Sequence, residues 1–452
     1  MMTPSHGRKL YPIIALLLVL LIAAGGYIML LEMQQKPNYY STTAESTPET
    51  TITEKPETGL ADLGQQPNWT TLDLWQDTIT HDDFLYLLTE IYTTDDSWKR
   101  FIRIYPDHAI IRTDTSIPGA TYRLNFASVI SEASPNRNWN SVGELPPGTA
   151  DKPLAGVHIA IDPGHIGGDY AKTEARWFQI GTHPPVKEGD MTLLTGKIIK
   201  EQLVKLGAKV YLIRGSNNPV NPKRPDDYRD VALAKAASQG ITDEKTINSY
   251  QNKLFYRTGE IRERARRVNL AFNPDLVLCL HFNAEAWDDP NNPSLSDSNH
   301  YHVLLHGALT RGELAHDDER YEMLVKILQR SHAEEKSLGV YMARSIAMAT
   351  NLPAYEYLNA SHRAIQIEDV PGLWLRNLLA NRLYQCPVIF LEPYVMNNQE
   401  VHDRIQLGDY KGTKIIAGIE RKSIFTEYAD AVVAALKQYY LDYRIIYKPV
   451  GQ

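Results

Sequence analysis

Residues 276–281 and 388–392 read LVLCLH and VIFLE, two unbroken apolar runs that each finish on an ionisable side chain. A strand with one face in water alternates apolar and polar residues, whereas a continuous run belongs to a strand covered on both faces, as in a parallel sheet under helices. The rest of the C-terminal two thirds repeats that order. A strand at 157–161 precedes a helix from 191 to 206, which Asp190 caps and Gly207 stops; a strand at 209–213 follows. A charged helix over about 259–271 ends at Asn273-Pro274, and further helices are predicted at 321–349 and 425–440. The expected fold class is α/β, a mixed and largely parallel sheet with helices on both faces.

Upstream, the chain changes character. Ile13 to Leu31 contains no charged residue and, as a helix, would cover the hydrocarbon core of a bilayer. Arg8 and Lys9 precede it and Glu32 follows, so the positive-inside bias keeps residues 1–12 in the cytoplasm and places everything after Leu31 outside. The run is read as an uncleaved anchor, because it continues past the small residues Ala23 and Ala24 that a signal peptidase would need. Residues 32–69, rich in Thr, Ser, Glu and Pro, read as a flexible linker. Residues 70–152 carry a helical HDDFLYLLTEIY and alternating strands, a small α+β domain with no legible chemistry. Residues 153–445 form the main domain, with an acidic, Asn-rich insertion at 288–340 read as a lid or cleft wall.

The balance of 47 basic against 54 acidic residues, with no basic stripe, excludes nucleic acid as a partner. The two cysteines, Cys279 and Cys386, are predicted free and buried. If their strands present His281 and Glu392 at one level, the cysteines are offset by about 13 Å at ~3.3 Å per residue, too far for a disulfide.

Open α/β sheets place their sites where strands end. His165 follows the first strand in IDPGHIGGD, His281 ends LVLCLH, and Glu188 stands just before the 191–206 helix. Singly, each has an ordinary explanation: a hydrogen-bonded histidine, or an acid favoured at a helix N-terminus. Together, two imidazoles and one carboxylate match a catalytic zinc set that leaves one coordination position open, whereas a closed structural site would use four ligands and usually cysteine. Glu392 ends a buried strand, and amide hydrolysis at such a metal needs a base of that kind to move a proton.

The pieces IDPGH, KEGDMTL, LGAKVYLIR, ERARRVN, LHFNA and PVIFLEPYVMNN, in that order, resemble the zinc-dependent N-acetylmuramoyl-L-alanine amidases of bacterial cell-wall remodelling over residues 155–440. The resemblance implies one Zn2+ on His165, Glu188 and His281, with Glu392 as the catalytic acid/base. It implies cleavage of the amide between N-acetylmuramic acid and L-alanine in peptidoglycan, on the periplasmic or cell-wall side of the membrane that residues 13–31 anchor. Asn283 falls beside the metal, and Arg214, Arg264 and Asn269 fall on family positions whose work is to tie loops together. Arg376 and Arg382 both compete for a substrate-contacting arginine, and Arg176 is a further candidate to grip an anionic stem peptide. The 23 residues from His165 to Glu188 are long for the family and contain Glu174 and His183 as rival ligands. His300, His302, His306 and His316 in the insertion are read as solvent-facing. A binding protein that holds peptidoglycan without cutting it, and a zinc peptidase acting within the stem peptide, are the competing readings; an activator protein is left open.

Overall fold

The computed structural model describes residues 59–447, except 130–134, 288, 290, 291, 358–362, 368 and 369. The anchor expected at 13–31 lies outside the described residues, and among those no helix is long and apolar enough to cross a membrane.

Three short strands, β1 (Ile102–Ile104), β2 (His108–Arg112) and β3 (Thr121–Asn125), form an antiparallel sheet. Seven more make the main sheet: β4 (His158–Pro163), β5 (Lys209–Leu212), β6 (Leu276–Leu280), β7 (Tyr301–Leu305), β8 (Ile365–Gln366), β9 (Leu373–Leu375) and β10 (Val388–Pro393). Their spatial order is β8-β9-β7-β10-β6-β4-β5. The block β10-β6-β4-β5 is parallel throughout, β7 runs antiparallel to β10, and β9 is parallel to β7.

The period of two decides what each face touches. On β6, Leu276, Leu278 and Leu280 face the side where the helices Glu188–Lys205, Ser331–Thr350 and Ile424–Tyr443 pack. Val277 and Cys279 face the opposite layer with Ala265, Ala380, Tyr384, Val388 and Phe390. All five residues of β6 are fully buried, so the unbroken apolar run has its physical cause in two covered faces. Each leucine so buried contributes roughly 1.5–3 kcal/mol of hydrophobic free energy. Cys279 and Cys386 are free and buried. Cys279 pairs in register with Phe390, four residues beyond Cys386, which keeps the thiols a strand-length apart.

Several expectations need correction. Residues 288–340 are no appended lid: they supply β7, in the middle of the sheet, and the helix Asp317–Gln329. His300 and His302 are 6 % and 3 % exposed and His306 is fully buried, so these histidines do not face solvent; His316, half-buried, precedes the Asp317–Gln329 helix. The single helix read at 321–349 is two, broken at Arg330, whose φ of 56° is left-handed and whose guanidinium donates to the Thr78 carbonyl. The helix expected from Met191 begins at Glu188, and Asp190 does not cap it. The Asp190 carboxylate is taken instead by the Gly168 N–H at 2.7 Å and the Asn217 amide at 2.9 Å.

The helix His81–Tyr86 is capped by Thr80, whose hydroxyl accepts from the Asp83 N–H. Phe84, Leu88, Ile111 and Leu124 of this N-terminal part belong to the same apolar cluster as Leu278 and Met342, so its core runs on into that of the main sheet. Residues 59–64, read as part of the flexible linker, are fastened to the domain: the Ala61 N–H donates to Asp318 and Lys235 pairs with Asp62.

Candidate metal centre

The parallel block ends its strands β4 and β6 at one edge, and the loops leaving that edge bring the candidates together. After β4, Pro163-Gly164 turns the chain and His165 takes a left-handed φ of 59°. Gly164 is required by packing: a β-carbon there would lie 2.3 Å from His281 Cε1 and 2.6 Å from the Leu280 carbonyl oxygen. The loop is clamped from behind. Arg264 pairs with buried Asp162 at 2.7 Å and donates to the carbonyls of Pro163 and His165, while Arg214 donates to the carbonyls of His165 and Gly189. Thr192 closes the clamp on the Gly164 carbonyl at 2.7 Å. These arginines thus tie the loops together as their side chains led us to expect, and Asn269 does the same between its helix and the segment before β10, bonding the Leu383 carbonyl and the Gln385 N–H.

His165, Glu188 and His281, each distant in sequence, present one ligand atom apiece within 4.8 Å of one another. Glu188 Oε2 lies 3.2 Å from His165 Nε2, and Glu188 Oε1 lies 3.0 Å from His281 Nδ1. The two rings meet edge to face at 5.0 Å, and His281 is stacked on Phe390 at 4.3 Å. Glu188 sits in the first turn of its helix, where the helix dipole favours an anion, and also accepts the Phe282 N–H. Burial pushes its carboxyl up, but His165 and His281 outweigh that and hold it well below the ordinary carboxylate range.

Of the rival ligands, Glu174 turns out to be the support of the site. It is buried, its carboxylate accepts the N–H groups of Ile166 and Gly167 at 2.9 and 3.0 Å, and Oε1 lies 3.7 Å from His165 Nδ1. Orienting a ligand histidine through its other ring nitrogen is the usual work of such a carboxylate. His183 is stacked on His402 at 5.4 Å. Burial disfavours a charge on His165, yet Glu188 and Glu174 prevail and raise its pKa. The pocket therefore carries negative potential that a cation would neutralise.

Part of that potential is answered by Arg176. Its Nε lies 3.1 Å from Glu188 Oε2 and donates to His165 Nε2 at 3.3 Å, so the guanidinium stands against two of the candidate ligand atoms. Of the other two arginines, Arg382 is tied to Glu322, Glu319 and Asn377 in the layer behind the sheet. Arg376 lies nearer the chemistry: it donates to the Tyr357 hydroxyl at 3.1 Å and feels the charge of Glu392. Asn283 acts through its backbone, bonded to Tyr394 and Met396, and its side-chain oxygen accepts the Ala284 N–H.

Glu392 stands on β10 beside the end of β6, where the His281 N–H donates to the Leu391 carbonyl at 2.9 Å. Across β10 and β7 it is the register partner of His302, whose Nε2 bonds Glu392 Oε2. Burial works against the Glu392 charge, but His302 and then His281 lower its pKa to about 2. Sequence reasoning named His302, Glu174 and Arg176 but not what they touch: His302 bonds Glu392, Glu174 holds the loop after His165, and Arg176 faces Glu188. For His302 a signal existed: HYHVLLH is a third apolar run, and read as a buried strand it would have shown that its histidines need partners.

The family model for N-acetylmuramoyl-L-alanine amidase (Amidase_3) matches residues 159–421. The chain belongs to the N-acetylmuramoyl-L-alanine amidase family. It is thus an enzyme of that class, acting on the peptidoglycan of the cell wall. No curated protein matches it. Solved structures similar to it include the amidase Ami1 from Mycobacterium smegmatis, at 15 % identity over 64 % of this chain and 99 % of that one, with a TM-score of 0.35. They also include the catalytic domain of CwlV from Bacillus (Paenibacillus) polymyxa var. colistinus, at 14 % identity over 63 % and 98 %, TM-score 0.34. The CwlD amidase from Clostridioides difficile, solved in complex with the GerS lipoprotein, matches at 11 % identity over 62 % and 96 %, TM-score 0.34.

Proposed function

We propose that the protein hydrolyses the amide between N-acetylmuramic acid and L-alanine in peptidoglycan, with one zinc ion held by His165, Glu188 and His281. The observation that carries this reading is the convergence of those three ligand atoms in a chain of the amidase family. Two imidazole nitrogens and one carboxylate oxygen are the donor set of a catalytic zinc site, and the Glu174 carboxylate lies 3.7 Å from the other ring nitrogen of His165. A zinc ion there supplies Lewis-acid polarisation of the scissile carbonyl and makes the attacking water more acidic.

The remaining work falls to the chain's own residues. Glu392, kept ionised by His302, takes the proton of the attacking water and delivers it to the leaving nitrogen. Arg376, on the Glu392 side of the site, is placed to meet an anionic group of the stem peptide; Arg382, engaged by Glu319 and Glu322, is not. The domain division belongs to the same proposal: a cytoplasmic start, an anchor at 13–31, a linker, the α+β part and the amidase domain on the outer side.

Purified sacculi digested with the full-length protein test the reaction. Free L-alanine amino groups should appear without new reducing sugar ends, and mass spectrometry should show intact stem peptides. Peptides cut internally would favour the zinc peptidase, and no release at all from zinc-loaded protein would favour a binding protein. Glu392→Gln should retain one equivalent of zinc and lose at least a hundredfold in rate, about the value of general acid-base catalysis.

A further inference from the structure

The mechanism leaves unused the residue in closest contact with its proposed base. His302 is 3 % exposed, on a central strand, and its ring is boxed by aromatic neighbours: Tyr355 at 5.0 Å edge-on, Tyr357 at 6.1 Å nearly parallel, and His300 at 6.1 Å. The box is itself held. Tyr357 packs edge to face on Trp374 at 5.0 Å and accepts from Arg376, and His300 is bonded to Glu285 at 3.2 Å. Such packing leaves the His302 ring one orientation, with Nε2 toward Glu392. The bond assigns the proton to Nε2, since a carboxylate only accepts. Nothing else among the described residues bonds the Glu392 carboxylate, so its position depends on this one donor.

We propose that His302 is the positioning residue for Glu392: its Nε2–H holds carboxylate oxygen Oε2 in place and leaves Oε1 as the oxygen that receives and returns the catalytic proton. The inference rests on Glu392 being the base, as proposed above. In the hydrolysis, the water oxygen bonds to the carbonyl carbon while its proton moves to Oε1, making Glu392 a neutral acid. When the carbon–nitrogen bond breaks, that proton passes to the nitrogen and Glu392 is a carboxylate again. His302 keeps its own proton throughout and undergoes no net change. The ionisable groups around Glu392 are His302 on β7, His281 at the end of β6, Glu188 on its helix, Tyr428 on the Ile424–Tyr443 helix and Tyr357, with Arg376 beyond Tyr357. Of these, His302 has the largest effect in keeping the carboxylate charged.

Full-length His302→Leu, His302→Gln and Glu392→Gln proteins, assayed for L-alanine release from sacculi across pH, test the idea. Removing the donor with leucine should lower kcat about 10- to 100-fold, up to the cost of displacing a catalytic group by about 1 Å. It should also move the acidic limb of kcat/KM upward by about one pH unit or more, because Glu392 loses the bond that favours its charged form. Glutamine, which keeps an N–H in reach, should restore part of both. Difference infrared spectroscopy of the Glu392 carboxyl, which needs no turnover, should show it protonating at higher pH in His302→Leu than in the parent. His302→Leu with kcat within twofold and an unmoved acidic limb would overturn the proposal. So would equal losses in the leucine and glutamine proteins with no change in the limb or the infrared titration, the signature of a merely structural histidine. An active Glu392→Gln protein refutes the base itself, whereas an inactive one beside an unaltered His302→Leu refutes only the role of His302.

Discussion

Arg176 and a divalent cation make claims on the same two atoms, and that competition can be measured. Its Nε lies 3.1 Å from Glu188 Oε2 and 3.3 Å from His165 Nε2, with Glu188 only 1 % exposed. A metal that takes those atoms must first displace the guanidinium, so the energy of the arginine contact is subtracted from the metal's affinity. A hydrogen bond to a charged group is worth about 1.5–3 kcal/mol net. Since about 1.4 kcal/mol is tenfold in a dissociation constant, Arg176→Ala should bind zinc roughly 10- to 100-fold more tightly. The metal-free protein should lose stability by a similar amount, because the variant removes one of the charged donors that face the buried Glu188 carboxylate. Competition against a chromophoric chelator gives the affinity, and thermal unfolding of chelator-treated protein gives the stability. The two changes must be opposite in sign and comparable in size. An Arg176→Ala protein with parental zinc affinity would refute the reasoning, and show that the guanidinium swings away at no cost.

Two further outcomes follow from charged groups inside the fold. Glu392, lowered to about 2, and Glu285, lowered by its bond from His300, both have folded pKa values below their unfolded ones. Their contribution to stability is therefore present above the unfolded carboxylate pKa of about 4.3 and is lost as pH falls through their folded values, about 2 for Glu392. Thermal unfolding from pH 5 to pH 2 should show a steeper decline for the parent than for Glu392→Gln; parallel curves would contradict the linkage. Deep under the sheet, Lys326 pairs with Glu335 at 3.3 Å and donates to the Cys386 carbonyl, both side chains at most 1 % exposed. Lys326→Met should cost about 3–5 kcal/mol in denaturant unfolding by stranding Glu335, and Lys326→Met combined with Glu335→Gln should recover much of it.

The local chemistry of the chain was enough to indicate the main domain's class and to single out the three residues that the fold brings together as a candidate metal site. Runs such as LVLCLH and VIFLE have one stable environment, a strand with both faces covered, and their terminal His281 and Glu392 follow onto the same edge of the sheet. Which elements adjoin was decided in three dimensions. HYHVLLH has a strand's composition, but nothing local says that it inserts between β9 and β10 and sets His302 opposite Glu392, because strand pairing depends on a partner some ninety residues away. The same holds for the loop between His165 and Glu188. Sequence favoured Glu188 over its rivals Glu174 and His183, and the fold shows where each one lies: Glu174 beside the far side of the His165 ring, His183 stacked on His402, and Glu188 between the two histidines. Residue type carries the capacity to bind a metal, whereas the distances that turn capacity into a site are set by packing among segments that the chain order keeps apart.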